Sequence, residues 1–200
     1  MTVQNKPRTA NIERNTTETQ IQLTLALDGR GKSDISTGVG FFDHMLTLFT
    51  SHGLLDVTIS ASGDIQIDDH HTVEDVGIVL GQAIQQAIGD KAGIFRYGHA
   101  VVPMDEAMAL VALDCSGRGF LAYDAEFYSS KIGTFDAELV EEFMRAVAHN
   151  AGITLHVKVL AGKNAHHIAE AIFKAFGQAL RRAAEIDPRR DGIPSTKGVL

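Results

Sequence analysis

The chain has 200 residues, which suits one domain or two half-domains sharing a core. Its 44% hydrophobic and 22% charged residues predict a folded protein, and a net charge of −7 argues against a general nucleic-acid binder, whose phosphates reward a basic surface. That balance still permits a local basic pocket for a phosphorylated small molecule.

The N-terminal residues 1–8 are polar and lack the apolar segment of a secretory signal. No apolar run approaches the ~20 residues needed to cross a membrane. The single cysteine, Cys115, cannot close a disulfide within the chain, which fits a reducing compartment and a small buried apolar role. A soluble, cytoplasmic protein is expected.

In chain order, residues 20–27 alternate as a strand should, and 41–52 carry apolar residues at helical spacing. Residues 55–60 are a β-rich run, and 72–88 a longer amphipathic helix. The pattern then returns: a more apolar strand over 107–113, a helix over 137–150, a β-rich run over 153–160 and a helix over 168–184. Direct self-similarity supports the repetition. His70-His71-Thr72-Val73-Glu74 recurs as His166-His167-Ile168-Ala169-Glu170 at an offset of 96, and the same offset carries Gly81-Gln82-Ala83-Ile84 onto Gly177-Gln178-Ala179-Leu180. Half-domains of about 9–92 and 93–187 follow, with a polar tail over 188–200 that is expected to be mobile. The expected fold is α+β: a duplicated β-β-α-β-β-α unit with four helices sandwiched between two mixed four-stranded sheets.

Duplication readily preserves core positions, but it does not by itself preserve exposed His and Glu. His70 and Glu74 are i and i+4, on one helix face, and His71 and Glu74 are i and i+3. Adjacent histidines point about 100° apart, so the pair suits two ions better than one. His44 sits near the start of the first helix, and Glu142 occupies the corresponding place in the second half. His44, His70, His71, Glu74, Glu142, His166, His167 and Glu170 would furnish two octahedral sites. Imidazole plus carboxylate without thiolate suits Mn, Fe or Zn, and six-coordination favours Mn or Fe. Asp68, Asp69 and Asp75 read as ordinary capping charges, and His99, His149 and His156 as structural.

His166, Glu170 and Lys174 run i, i+4, i+8 on one face. Arg118 lies between two glycines after a strand, Arg96 in a turn before Gly98, and the tail offers Ser195-Thr196-Lys197-Gly198. Singly, each cation reads as a solvated charge; only convergence on the metal site would make them a pocket that clamps a phosphate. These residues alone leave a metallohydrolase or a metal-storage protein open beside a metal-dependent lyase.

Phe42-Asp43-His44-Met45-Leu46, Asp69-His70-His71-Thr72-Val73-Glu74-Asp75, Gly162-Lys163-Asn164-Ala165-His166-His167, Phe173-Lys174-Ala175 and Ser195-Thr196-Lys197-Gly198 closely resemble the imidazoleglycerol-phosphate dehydratase family, along nearly the whole chain. The resemblance implies a duplicated fold of the ribosomal protein S5 domain 2-like type. It also implies two Mn2+ ions per active site, held by the eight ligands above, and a 24-mer built from trimers with active sites between subunits. Many relatives carry histidine where this chain has Glu142. The resemblance further implies that Glu18 is the proton acceptor and that Glu18, His44, His71 and Glu170 serve the reacting centre. His52 would line the substrate pocket, and Arg96, Arg118, Lys174, Ser195 and Lys197 would meet the phosphate. The implied reaction is dehydration of D-erythro-imidazole glycerol phosphate to imidazole acetol phosphate in histidine biosynthesis. The expected course is through a metal-bound imidazolate and a diazafulvene-like intermediate.

Overall fold

The structure is a computed structural model and describes residues 7–200. In the first half β1 (Thr9–Asn15), β2 (Thr19–Ala26) and β3 (Ser33–Ser36) precede α1 (Gly40–Gly53), and β4 (Asp56–Gly63) precedes α2 (His70–Ile88). The second half runs β5 (Tyr97–Met104), β6 (Ala107–Asp114), β7 (Phe120–Asp124), a small hairpin β8 (Lys131–Ile132) and β9 (Phe135–Asp136), α3 (Leu139–Ala151), β10 (Thr154–Ala161) and α4 (Ala165–Ala184). Both sheets are mixed and four-stranded, ordered β1-β2-β4-β3 and β5-β6-β10-β7, with the third strand of each half parallel to the fourth. The four helices lie between the sheets, as expected.

The order within a half differs from expectation. Leaving aside the β8–β9 hairpin of the second half, three strands come before the first helix and one after it, giving β-β-β-α-β-α rather than β-β-α-β-β-α. The difference has a physical cause. The third strand, Ser33-Asp34-Ile35-Ser36 in half one, is short and polar at the sheet edge, so it carries no buried alternation for sequence reading to detect.

The central strand β2 sends alternate side chains inward, burying Thr19, Ile21, Leu23 and Leu25 and exposing Gln20, Gln22 and Thr24. Phenylalanines knit the helical layer: Phe49 of α1 stacks on Phe176 of α4 at 4.9 Å, and Phe143 of α3 on Phe173 of α4 at 5.3 Å. The helices of one half pack on those of the other, α2 against α3 and α1 against α4.

The repeated glycines mark these crossings. A Cβ on Gly177 would stand 2.3 Å from the Phe49 carbonyl oxygen, and one on Gly81 2.8 Å from the Val147 carbonyl oxygen. Phe49 and Val147 occupy corresponding places, because α1 and α3 both end in a left-handed residue, Leu54 and Gly152. The same registration sets His44 against Glu142, as the sequence predicted. Beyond α4 the tail lies along the second half: the Gly93 N–H donates to the Gly192 carbonyl at 2.8 Å, and Arg96 donates to the Pro194 carbonyl at 2.9 Å. No helix among the described residues is long and apolar enough to cross a membrane.

Candidate metal centre

Both histidine pairs lie in the first turn of a helix, two residues earlier than apolar periodicity alone suggests, and side chains just before the pairs hold their N–H groups. The Asn164 side chain accepts from the N–H groups of His166 and His167, and Asp68 accepts from the His70 N–H at 2.9 Å. On α1, Asp43 accepts from both the N–H and hydroxyl of Thr37, at 2.9 and 2.6 Å, and fixes the turn that presents His44.

The α1–α4 crossing brings the halves together at one point. His44 Nε2 lies 2.9 Å from Glu170 Oε1, and His166 Nε2 lies 3.0 Å from the same oxygen. The ligand atoms of these three residues all fall within 4.8 Å of one another, the one such group among the described residues. Two imidazole nitrogens and a carboxylate oxygen, without thiolate, are a donor set that fits a divalent ion of the Mn, Fe or Zn type. Lys174 Nζ donates to the other oxygen, Glu170 Oε2, at 2.7 Å, which leaves Oε1 to face the histidines. Burial works against ionising Glu170, but hydrogen bonds from Lys174, His44 and His166 hold its carboxyl down at about 2. It is therefore an anion at neutral pH.

The corresponding set in the other half is more open. His70 Nε2 stands 4.0 Å from Glu74 Oε2, while Glu142 lies 3.8 Å from the Arg145 guanidinium. The rings of His71 and His167 stand at 80° and 83° to those of His70 and His166. Each is bonded through Nδ1 to a carboxylate: His71 to Asp64 at 3.0 Å and His167 to Glu106 at 2.7 Å. Those bonds raise the pKa of both rings, and the His167 bond, with the Asn164 and Lys163 N–H groups, holds Glu106 down at about 2. Sequence reasoning missed Asp64 and Glu106. Neither stands at the repeat offset from the other, so self-similarity gave no signal.

Residues 37–180 match the family model for imidazoleglycerol-phosphate dehydratase. The chain is 63% identical over 193 residues to the enzyme of that name from Desulforamulus reducens, covering 96% of this chain and 98% of that one. The Acetivibrio thermocellus enzyme of the same name is also 63% identical over 193 residues, at 96% and 99% coverage. A crystal structure of imidazoleglycerol-phosphate dehydratase from Staphylococcus aureus superposes with a TM-score of 0.82 at 46% identity, covering 90% of this chain and 99% of that one. The Pyrococcus furiosus structure gives 0.82 at 38% identity, with 94% and 100% coverage.

The chain belongs to the imidazoleglycerol-phosphate dehydratase family.

Four of the residues singled out as phosphate contacts come together, but away from the His44–His166–Glu170 group rather than on it. Arg96, Arg118, Ser195 and Lys197 line one cleft of about 740 Å3, joined by Arg190, which sequence reading passed over. Arg96 is itself paired with Asp114 at 2.7 and 3.0 Å, whereas no ion pair engages Arg118, Arg190 or Lys197 among the described residues. Lys174 is not in that cleft, being bound to Glu170. His52 lies near Lys174 and Glu170, and burial followed by the Lys174 charge lowers its pKa. Glu18 stands half-exposed in the β1–β2 turn, its Oε2 3.9 Å from His71 Nδ1. Asp75, read from sequence as a capping charge, is buried and serves differently. It accepts from Arg14 at 2.9 Å and from the Thr19 hydroxyl at 2.5 Å, fastening the Glu18 turn to α2. Cys115 is buried as expected, and burial pushes its thiol up to about 12.

The Arg96 N–H donates to the Ala183 carbonyl, at the far end of α4 from His166. A rise of ~1.5 Å per residue puts about 25 Å of helix between them. The cleft and the His44–His166–Glu170 group of one chain are thus too far apart to hold the two ends of one small molecule.

Proposed function

We propose that this chain is a metal-dependent hydro-lyase of histidine biosynthesis. It would remove water from D-erythro-imidazole glycerol phosphate to give imidazole acetol phosphate. The observation that carries the proposal is the closing of His44, His166 and Glu170, contributed by both repeats, around a single point. The eight residues His44, His70, His71, Glu74, Glu142, His166, His167 and Glu170 would hold two Mn2+ ions. Divalent ions held there would supply Lewis acidity to the imidazole ring of the substrate, which would ease loss of the hydroxyl beside it.

The chain's own groups do the rest. Glu18, fixed by the Thr16–Thr19 turn and half-exposed, takes the proton from the carbon beside the one that loses hydroxyl. Glu170, kept anionic by Lys174, balances cationic charge near the ring. His52 and Lys174 border the same place from α1 and α4. Arg118, Ser195, Lys197 and Arg190, with Arg96 held rigid by Asp114, receive the phosphate and orient it.

The span of about 25 Å along α4 supports active sites assembled from more than one copy of the chain, in a homo-oligomer built from trimers. The outer faces of the sheets agree with this. The first sheet exposes Gln20, Gln22 and Thr24, whereas the second exposes Val101, Leu160 and Phe120, at 48%, 44% and 54%. No membrane or nucleic-acid partner is proposed, and the cytoplasm is the proposed location.

Turnover of imidazole glycerol phosphate by chelator-stripped protein, with and without Mn2+, tests the reading. Mn2+-dependent ketone without inorganic phosphate is the expected result. Phosphate release would point instead to a metallohydrolase, and no ketone with any metal would refute the substrate.

A further inference from the structure

We propose that Asp64 and Glu106 are positioning residues. They hold His71 and His167 in the Nδ1–H tautomer, so that each Nε2 is presented, unprotonated, as a metal ligand. The inference rests on the reading of His71 and His167 as ligands. An ionised carboxylate can only accept, so the ring nitrogen facing it must carry the proton. Asp64 meets His71 Nδ1 with both oxygens, at 3.2 and 3.0 Å, and Glu106 meets His167 Nδ1 at 2.7 Å. Asp105 stands 3.8 Å from His167 Nε2, beyond hydrogen-bond distance. Among the described residues no hydrogen bond engages Nε2 of either ring.

The two carboxylates come from different places in the repeat. Glu106 lies in the β5–β6 turn, and its topological counterpart in half one is the β1–β2 turn, which carries Glu18. Glu18 also faces its half's second histidine, but at 3.9 Å, because Asp64 at the end of β4 has taken the Nδ1 bond. One half thus spends its hairpin carboxylate on orienting a histidine. The other uses a substitute and leaves the hairpin carboxylate free. Common descent alone does not produce that pattern; a requirement for an Nδ1 acceptor in both halves does.

Glu106 has a second duty that makes the test sharp. Its Oε1 accepts from the N–H groups of Lys163 and Asn164, at 3.2 and 2.8 Å, while Oε2 serves His167. In Glu106→Gln the oxygen stays on those two donors and the amide NH2 turns to Nδ1. This forces the proton onto Nε2 and abolishes the ligand. Asp64 has no such second bond, so in Asp64→Asn the amide rotates to keep its oxygen on Nδ1–H.

The experiment titrates the chelator-stripped, full-length oligomer with Mn2+ against a competing fluorescent chelator. Glu106→Gln and Asp64→Ala should each weaken Mn2+ binding by roughly 10–100-fold. Asp64→Asn should change it only a few-fold, and His71→Ala serves as the ligand-loss control. Solid-state 15N spectra of histidine-labelled, metal-free wild type should show protonated Nδ1 at both rings, with the His167 signal switched in Glu106→Gln. Wild-type affinity in Glu106→Gln, or Nε2–H rings in the wild type, would overturn the proposal, and the wild-type spectra decide it even if a variant fails to fold. No Mn2+ bound by wild type would instead refute the metal reading itself.

Discussion

At the residue scale, Glu170 carries more than its appearance in a repeated motif suggests. It is buried, anionic, and bonded to His44, His166 and Lys174 at once. Glu170→Gln preserves shape and removes the charge. Metal affinity should fall by at least ~10²-fold and dehydration with it, as measured by bound Mn2+ and by turnover. A variant that retained its metal would remove Glu170 from the ligand set. Asp56 offers a contrast away from the site. Its Oδ1 accepts the N–H groups of Arg30 and Lys32 at 2.7 and 2.9 Å, and those bonds lower its carboxyl below the usual 3.8. A lowered folded-state value means stabilisation that is complete above the unfolded value and lost as pH falls through the folded one. Asp56→Asn keeps the acceptor and deletes the charge, so its deficit at neutral pH should be no more than about 1 kcal/mol, given solvent screening. Thermal melts should show that deficit closing on acidification below about pH 4.

At the scale of elements, the ligand geometry depends on how closely α1 and α4 approach. Gly177 permits that approach, since an added Cβ would meet the Phe49 carbonyl at 2.3 Å and the Gly53 nitrogen at 2.9 Å. Backbone cannot give way as the end of a side chain can. Gly177→Ala should therefore destabilise by roughly 1–3 kcal/mol despite its better helix propensity. It should also loosen metal binding by shifting His44 from Glu170. Denaturant melts together with Mn2+ titration check this, and unchanged values in both would show the crossing to be tolerant. The helices were legible in sequence because each keeps an apolar face over three or more turns. Strands β3 and β7 were not, because both run at sheet edges, where little side-chain alternation is buried.

For the whole molecule, the prediction concerns shared sites. If the phosphate cleft of one chain serves the metals of another, Glu170→Gln and Arg118→Ala subunits should each be inactive. Co-assembled, they should regain a substantial fraction of wild-type turnover, because some sites then draw both intact parts. Co-expression with two affinity tags and assay of the doubly purified oligomer makes the measurement. Activity no greater than that of either parent would place the whole site in one chain.

The sequence by itself determined the duplication, the helices, the correspondence of His44 with Glu142 between the repeats, and the residue types of the candidate metal group. These rest on periodicity and on repeated side chains, which are local properties of the chain. Only the tertiary structure decided which ligands meet, because His44 and Glu170 are 126 positions apart and touch solely through the α1–α4 crossing. It also revealed Asp64 and Glu106 behind the second histidines, and Asp75 fastening the Glu18 turn. Asp64 and Glu106 lie just outside strands and Asp75 inside α2, and no repeat partner marks any of the three. A hydrogen bond across elements leaves no pattern in the residues that make it.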